Sequence, residues 1–400
     1  MPAFTPDAAR ALGGHDWLVA RRVAAAEQLA TVSWPSSAEE IWRYSRVDDF
    51  DLDRYRPRAV NQRSLDVPVL DAGLAGKGVV VGDLLDVDDS EAADWLGTCS
   101  DASPDAFTVL HDAFMVGGAY VRVPAGVLVE TPLYFEHRSG GDGLASFPHT
   151  LVIVGEGAEV TVVDRFAADG APHLCDAVIE LIVGDGARAR YVSVQEHGPT
   201  TWQVGLQRAH VSRDASLRSS AVALGGDYAR MRTESLITGP AGESDLLAVY
   251  FGDRAQVLDF RTLQDHAAPH SRSDLLFKGA VEDHARSVYS GLVRLRAEAQ
   301  HSNAFQTNRN LVLTEGAGAE SIPNLEIEAN DVRCSHASTV GPIDDDQRYY
   351  LETRGFPPAE AERLIVLGFV DDVFDRLPIG ALSRGLRRSV VDKLEHRHHG

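Results

Sequence analysis

Apolar residues follow a helical spacing at the start of the chain. An alanine-rich segment interrupted by Gly13–Gly14 shows this spacing at Leu12, Val19, Val23 and Leu29. A second helix is predicted in SWPSSAEEIWRYSRVDDFDLDRY, where Ser36 or Ser37 can cap the first turn. After a short mixed region, DAFTVLHDAFMVGGAY predicts an amphipathic helix that ends at Gly117–Gly118. Residues 1–118 are therefore expected to form an N-terminal helical and mixed region.

The pattern changes at about Tyr120 to short runs rich in Val, Ile and Leu that are separated by tight turns. Four of these turns recur at intervals of 29, 28 and 28 residues, at Gly157–Ala158, Gly186–Ala187, Asp214–Ala215 and Gly242–Glu243. Short strands at a constant interval of this size are typical of a β-solenoid, in which each coil buries its apolar face against the next. A β-sandwich or barrel is the alternative, but it gives no reason for a constant interval. We predict a mainly β protein whose core, residues 119–341, is a solenoid.

One strand-type segment near the end of this core carries amides. Gln306, Asn308 and Asn310 alternate along AFQTNRN, so a strand places all three on one face. Amides at such positions can stack from coil to coil. They can also form an ordinary polar strand surface, and the sequence leaves both interpretations open.

After Gly341 the pattern returns to helical spacing. Asp344 can cap the segment DDDQRYYLETRG, which ends at Gly355. Pro357–Pro358 can open the next helix, and Pro378 ends it. A last helix carries an apolar stripe at Leu382, Leu386, Val390 and Leu394. Residues 342–400 are therefore expected to form a C-terminal helical region.

The composition narrows the classes of protein. Of 400 residues, 44% are hydrophobic and 24% charged, as expected of a folded chain. The formal net charge of −21 argues against a nucleic-acid-binding surface and against general affinity for anionic membranes. No apolar run reaches the length of a transmembrane helix, and the N-terminus lacks the regions of a secretory signal. With three widely separated cysteines, Cys99, Cys175 and Cys334, the composition predicts a protein of the reducing cytoplasm.

Cys334 and His336 are the main candidates for chemistry. In DVRCSHASTVG they lie two residues apart, so a strand projects both from one face with their Cβ atoms about 7 Å apart. They could be ligands of a metal or cluster, a nucleophile with its base, or a buried thiol beside an incidental histidine. Structural zinc and the usual iron–sulfur clusters need four ligands, and the chain has no CxxC pair to add. A complete cluster held by this chain alone is therefore not expected.

Two further histidines, His266 and His270, lie four residues apart in DHAAPHSRSD. On a helix this would be a metal-ligand spacing, but Pro269 disfavours a helix there. The segment instead predicts a loop with solvated histidines. The chain also lacks the GxxxxGK[ST] pattern of a P-loop, so we do not expect it to hydrolyse ATP itself.

The segment IPNLEIEANDVRCSHASTVGPIDDDQRYYLETRGFPPAEAERLIVLGFVDDV resembles the signature region of the SufB/SufD family of iron–sulfur cluster assembly proteins. The family pattern contains P-x-L-E-I, D-V-x-C-S-H-G-A-T-V-G, Y-L-x-x-R-G-I/F and an apolar helix that ends in G-F. The matching residues are Pro323, Leu325, Glu326, Ile327, Asp331, Val332, Cys334, Ser335, His336, Thr339, Val340, Gly341, Tyr350, Leu351, Arg354, Gly355, Gly368 and Phe369. Ala337–Ser338 replace the usual Gly-Ala. VPAGVLVETPL and EEIWRYS also resemble the family, and the length and C-S-H element are closer to SufD than to SufB.

The resemblance implies a right-handed parallel β-helix core, in agreement with the period of the turns. It also implies a complex with a SufB-like paralogue and a SufC-like ABC-type ATPase, in which this chain is a scaffold and not an enzyme. ATP would then act only through the partner ATPase, and flavin binding is left open. His336, with Cys334 as a second candidate, would supply part of a transient iron–sulfur cluster shared across a heterodimer interface.

The C-terminal helical region is the candidate docking surface for the ATPase. Its middle helix has apolar residues over much of its circumference, which is more than a solvated helix exposes. Together with the family's R-G-F element, this gives as docking residues Arg354, Gly355, Phe356, Leu364, Ile365, Phe369, Val370 and Phe374. The alternative is that these helices only cap the solenoid.

Two other functions stay open at this point. A β-helix enzyme of polysaccharide lyase or hexapeptide-repeat acyltransferase type would share the fold. Lyases of this type are usually secreted, however, and the coils here lack a six-residue repeat. A homodimeric assembly scaffold would work without a paralogue. Partners that copurify at native expression would separate these functions from the heteromeric scaffold.

Overall fold

The computed structural model describes residues 3–59, 64–87, 90–99 and 105–396. The helices are α1 (Pro6–Ala11), α2 (Asp16–Leu29), α3 (Ala72–Gly76), α4 (Ser90–Trp95), α5 (Ala106–Phe114), α6 (Asp345–Thr353), α7 (Pro358–Phe374) and α8 (Gly380–His396). The strands are β1 (Arg56–Pro57), β2 (Leu65–Asp66), β3 (Val80–Asp83), β4 (Ala119–Val123), β5 (Leu133–Ser139), β6 (Leu144–Ser146), β7 (His149–Val154), β8 (Glu159–Ala168), β9 (His173–Val183), β10 (Arg188–Glu196), β11 (Thr201–Val211), β12 (Ser216–Ala223), β13 (Tyr228–Ile237), β14 (Glu243–Gly252), β15 (Val257–His266), β16 (Arg272–Val281), β17 (Arg286–Leu295), β18 (Asn303–Val312), β19 (Gly318–Ile327) and β20 (Arg333–Gly341).

Two long sheets enclose the core. Sheet A runs β19-β17-β15-β13-β11-β9-β7-β4-β3, and sheet B runs β2-β5-β8-β10-β12-β14-β16-β18-β20. From β7 onward, successive long strands alternate between the two sheets, and each strand pairs in parallel with the strand one coil away. This arrangement is a parallel β-solenoid, which confirms the predicted mainly β class with helices at both ends. The short strands β1, β2 and β3 come from residues 1–118 and pair with the solenoid, so the division into three regions stays a prediction.

The repeated turns are placed by residues in the left-handed backbone region. Gly157, Gly186 and Asp214 have φ angles of 63°, 64° and 54°. The fourth turn differs from the prediction by one residue, because Ala241 (φ 58°), and not Gly242, takes this conformation. Glycine adopts it without the Cβ clash that other residues meet, which explains why the first two turns were visible in the sequence.

The N-terminal region agrees with the sequence only in part. Helices α1, α2 and α5 are present, but the helix predicted in SWPSSAEEIWRYSRVDDFDLDRY is wrong and is replaced by three single 3₁₀ turns. The solenoid accounts for this difference. Arg230 Nη2 donates to the carbonyl of Ile41 at 2.9 Å, and Arg261 Nη2 donates to that of Arg43 at 2.6 Å. The guanidinium of Arg230 also lies 3.8 Å from the ring centroid of Trp42. These carbonyls therefore accept from the sheet and not from a following helical turn.

The prediction of a loop with two solvated histidines is correct for His270 and wrong for His266. His270 is exposed, as expected, and takes a turn conformation. His266, however, is buried at the end of β15, where its ring nitrogens lie 2.7 Å from Ser271 Oγ and 2.8 Å from Ser273 Oγ. Because each ring nitrogen has a hydroxyl partner, burial of this imidazole leaves neither nitrogen without a hydrogen bond.

The C-terminal helices begin and end near the predicted residues. Asp344 accepts from the backbone N–H groups of Asp346 and Gln347, and Gly355 has a φ of 94°. Helices α7 and α8 pack on the outer face of sheet B, with Leu386, Val390 and Leu394 buried as the predicted stripe requires. The side chain of Leu382, the first member of that stripe, lies outside the described part of the structure. Among the described residues, none of the helices combines the length and apolar character needed to span a membrane.

Candidate functional site

The last coil of the solenoid, formed by β19 and β20, leaves one end of the core open. Strand β20 pairs with β18 on one side, and within the described ranges no strand pairs with its other edge. Nearly every residue of β20 is exposed, in contrast to the equivalent strands of the preceding coils. The strand is exposed because it belongs to the last coil, and side chains that face the lumen are buried only where a further coil covers them.

The register of β20 shows where the candidate residues point. Cys334 pairs with Ala304 and His336 pairs with Gln306, and both of these partners are buried in the lumen. Cys334 and His336 therefore project from the lumen side of the terminal strand, as the sequence predicted for two residues on one face. Ser335 lies on the outer face with the exposed Phe305.

The two side chains have different surroundings. Cys334 is half-buried and packs against a small apolar cluster that includes Val293 and Leu295. Burial raises the pKa of its thiol, so the thiol stays protonated at neutral pH. His336 is exposed on the same strand. A protonated thiol without an activating base is a poor nucleophile, which weighs against the nucleophile interpretation of this pair.

The amides beside this pair fit neither of the two interpretations left open above. Gln306, Asn308 and Asn310 are all buried and face the lumen. They cannot form a ladder between coils, because the residues paired with them on β16 and β20 are Leu275 and His336, Phe277 and Ser338, and Gly279 and Val340. Instead they bond to hydroxyl groups from earlier coils, as Asn308 Nδ2 does to Tyr250 Oη at 3.0 Å. Alternation alone could not distinguish the lumen face from the solvent face.

The site offers too few ligands for a complete metal or cluster centre. Within the described residues, no group of three or more His, Cys, Asp or Glu side chains is placed to hold a metal ion. Cys334 and His336 are two candidate ligands on an open edge. A cluster built here would need further ligands from a second chain or from solution.

The predicted docking residues fall into three classes of exposure. Arg354, Gly355 and Phe356 are exposed between α6 and α7, whereas Leu364, Ile365 and Phe369 are half-buried. Val370 and Phe374 are each 1% exposed and pack against sheet B, so they belong to the contact that holds α7 on the solenoid. Their packing is what the capping alternative expects, and the docking role of the exposed and half-buried residues stays a prediction.

The sequence analysis missed two exposed aromatic residues near the same connection. Tyr349 and Tyr350 lie on α6, a helix without any buried residue. Adjacent tyrosines in an otherwise polar helix were the available signal, because contiguous exposed apolar surface is typical of interaction sites. We call these two tyrosines and Phe356, which are exposed within eight residues of one another along the chain, the aromatic patch.

Comparisons with known proteins give a consistent result. A family model described as SUF system FeS cluster assembly, SufBD core domain, matches residues 137–369. An iron–sulfur cluster assembly SufBD family protein of Mycobacterium tuberculosis is 37% identical over 302 residues, covering 72% of this chain and 73% of the relative. The iron–sulfur cluster assembly protein SufD of Bacillus subtilis is 32% identical over 295 residues, covering 72% of this chain and 66% of the relative.

Proposed function

Because this chain belongs to the SufBD family of iron–sulfur cluster assembly proteins, we propose that it is a non-catalytic scaffold subunit of a Suf-type assembly complex. In this proposal the open end of the solenoid pairs with a SufB-like paralogue, and the nascent cluster forms between the two chains. A SufC-like ATPase docks on the C-terminal helices and supplies the ATP-driven step. The observation that carries the proposal is the position of His336, a candidate iron ligand on the exposed lumen side of the terminal strand β20, whose outer edge pairs with no other described strand.

The open end has the properties of a pairing surface. An unpaired strand edge presents backbone N–H and C=O groups that readily pair with another chain, so proteins cover such edges or protect them with charge. Exposed apolar side chains also lie on these last strands, where Phe305, Ile327 and Val340 are 40%, 46% and 42% exposed. Exposed charged residues such as Glu326 and Arg333 lie among them. The incomplete ligand set favours a paralogue with additional ligands over a partner without them. A homodimer is the outcome that copurification and mass measurement would reveal if this preference is mistaken.

The pairing can be tested with charges at the terminal coil. We expect Ile327→Lys combined with Val340→Lys to abolish copurification of the SufB-like partner, because two lysines at a strand edge oppose strand pairing. The isolated chain should keep its thermal stability, since both positions are exposed. Val69→Lys combined with Leu128→Lys is the matched control, because these exposed apolar residues precede the long solenoid strands. Undiminished pairing of the Ile327/Val340 variant would place the interface elsewhere.

The ATPase surface is proposed at the connection of α6 and α7. The aromatic patch of Tyr349, Tyr350 and Phe356 is the exposed apolar feature of this region, and Arg354 lies within it with its guanidinium 5.0 Å from the Tyr350 ring centroid. Aromatic residues and arginine are the types that most often carry binding energy at interfaces. The half-buried Leu364, Ile365 and Phe369 border this surface in the proposal, whereas Val370 and Phe374 do not contribute.

We expect Tyr350→Asp combined with Phe356→Asp to weaken binding of the ATPase at least about tenfold, as measured by titration with the purified subunit. Tyr350→Phe, which keeps the ring, should bind as the unchanged chain does. Truncation after Gly355 is a poorer test, because loss of α7 and α8 would also uncover buried residues of sheet B such as Val249 and Phe251. Full affinity of the double variant would exclude this patch as the docking surface.

Two further parts of the proposal concern the compartment and the enzyme alternatives. We propose a reducing compartment, the cytoplasm, because Cys99, Cys175 and Cys334 are all free thiols. The lyase-type and acyltransferase-type enzymes gain no support from the family assignment, so we do not propose them.

A further inference from the structure

We propose that Gln306 positions His336: the side-chain oxygen of Gln306 accepts the ring N–H of His336 and thereby decides which ring nitrogen faces the partner chain. The functional consequence rests on the proposed role of His336 in cluster assembly. The contact requires the His336 ring to turn toward Gln306, because Gln306 Oε1 has no hydrogen-bond partner among the described residues. Gln306 and His336 are directly paired on β18 and β20, so both project from the lumen side of adjacent strands. Strand spacing of about 4.8 Å brings a glutamine side chain within reach of the imidazole.

The amides of β18 are satisfied with one exception. Asn310 Nδ2 donates to Asn308 Oδ1 at 2.8 Å, and Tyr250 Oη donates to Asn310 Oδ1 at 2.6 Å. Asn308 Nδ2 donates to Tyr250 Oη. Gln306 Nε2 donates to the hydroxyl of Tyr289, but Gln306 Oε1 is buried and has no hydrogen-bond partner among the described residues. A buried acceptor without a hydrogen bond lowers the stability of the folded chain. A donor that can reach this oxygen would therefore stabilise the site.

The nitrogen of the Gln306 amide is held in place from inside the lumen. The Tyr289 hydroxyl that accepts from it also lies 3.1 Å from Thr262 Oγ. Gly291 makes room for this arrangement, since a Cβ atom there would lie 2.0 Å from Gln306 Nε2 and 2.2 Å from Tyr289 Oη. With the nitrogen held by Tyr289, the oxygen is the atom of this amide that still lacks a hydrogen-bond partner.

The position of this amide along the solenoid supports the same conclusion. In the two preceding coils of sheet B, the positions in register with Gln306 are Leu275 and Leu246. Further from the end the same row carries Ser219 and Tyr191, so among these coils an amide appears in the row only next to His336. Packing alone does not require an amide here, because an apolar residue of similar size occupies the same position one coil earlier.

The chemical effect follows from the two nitrogens of a neutral imidazole. One nitrogen carries the proton and the other carries a lone pair, and a hydrogen bond to the first fixes which is which. If His336 donates to Gln306, its second nitrogen has a free lone pair on the open side of the strand, where the iron–sulfur cargo would form. Groups that orient metal-binding histidines in this way commonly change metal affinity about tenfold to a hundredfold when they are removed.

The contact can be tested with Gln306→Leu, which removes the acceptor, and Gln306→Glu, which keeps it. Thr307→Val is the matched control, since Thr307 is the next residue on β18 and lies off the lumen face. The measurement is the nitrogen NMR spectrum of ring-labelled histidines in the full chain at about pH 7.5, where imidazole is neutral. The signals of His336 are those that are present in the spectrum of the unchanged chain and missing from that of His336→Ala. Thermal unfolding of each variant confirms that it is folded.

We expect one tautomer of His336 to dominate in the unchanged chain, in Gln306→Glu and in Thr307→Val, and a mixture of tautomers in Gln306→Leu. In the complex with the paralogue, Gln306→Leu should bind Fe²⁺ about tenfold more weakly, and Gln306→Glu should restore the affinity.

Unchanged tautomer populations in Gln306→Leu would overturn the proposal. If Gln306→Leu does not fold, Tyr289→Phe, which frees the amide nitrogen, takes its place with the same expected mixture. A tautomer change together with normal assembly by His336→Ala would support the contact and refute only the assembly role of His336.

Discussion

His336→Ala is expected to abolish cluster assembly while leaving the fold and the heteromeric complex intact. His336 is exposed on the terminal strand, and exposed substitutions usually change the free energy of unfolding by no more than about 0.5 kcal/mol. Its imidazole is, however, the candidate iron ligand and proton carrier that this chain presents at the open end. If the cluster forms between two chains as proposed, loss of this ligand should prevent reconstitution with iron and sulfide.

The measurement compares the iron and sulfide content of the reconstituted complex between the variant and the unchanged chain. Growth that depends on this iron–sulfur assembly pathway is the second readout. His301→Ala is the matched control, because His301 is another exposed histidine at a turn of the same end. Cys334→Ser should have a milder effect, since the thiol also packs against Val293 and Leu295. Normal assembly by His336→Ala would refute the role, and an insoluble variant would mean that His336 acts in folding instead.

The fold was predictable because its main signal is local. A turn that requires a left-handed residue favours glycine at that position, so the coil period was readable from Gly157 and Gly186. The same reasoning failed where distant residues decide the structure. The carbonyls of Ile41 and Arg43 accept from arginines 189 and 218 residues away, and no local pattern reports such a contact.

The candidate site was predictable to a similar extent. The two-residue period of a strand places Cys334 and His336 on one face, and the structure agrees. The period cannot tell which face is the lumen, because a solenoid strand has an inner and an outer side with similar alternation. For this reason the burial of Gln306 and the exposure of Phe305 were not evident from the sequence. The exposure of His336 depends on β20 being the last strand, which is a property of the whole fold.

Acidification below pH 6.5 is expected to destabilise the fold steeply, because several histidines are buried in the neutral form. Burial lowers the pKa of His173 to about 4, that of His266 to about 4 and that of His197 to about 3. Burial and the neighbouring His149 also hold the pKa of His111 well below its usual value. In the unfolded chain these groups titrate near pH 6.5. The unfolded chain therefore binds more protons between pH 6.5 and the folded pKa values, so stability is complete above pH 6.5 and is lost as the pH falls.

The size of this effect is large compared with ordinary protein stability. At pH 5, each of His173, His197 and His266 lowers the free energy of unfolding by about 2 kcal/mol, or about 6 kcal/mol together. A typical domain has a free energy of unfolding of only about 5–15 kcal/mol. Asp176 acts in the opposite direction, because burial raises its pKa well above the usual value and its protonated form is favoured in the folded chain. One such carboxyl group offsets only part of the loss from the histidines.

Urea denaturation between about pH 7.5 and pH 4.5 tests this, with His266→Gln compared with His270→Gln. His266 is buried between two serine hydroxyls, which a glutamine amide can also contact, whereas His270 is exposed four residues later. Below pH 6.5 the free energy of unfolding should fall less steeply in His266→Gln, by about 1.4 kcal/mol per pH unit, because one proton no longer distinguishes the two states. His270→Gln should keep the slope of the unchanged chain. Equal slopes in all three proteins would show that His266 does not titrate differently in the folded chain, and the buried neutral histidine would then not contribute to acid unfolding.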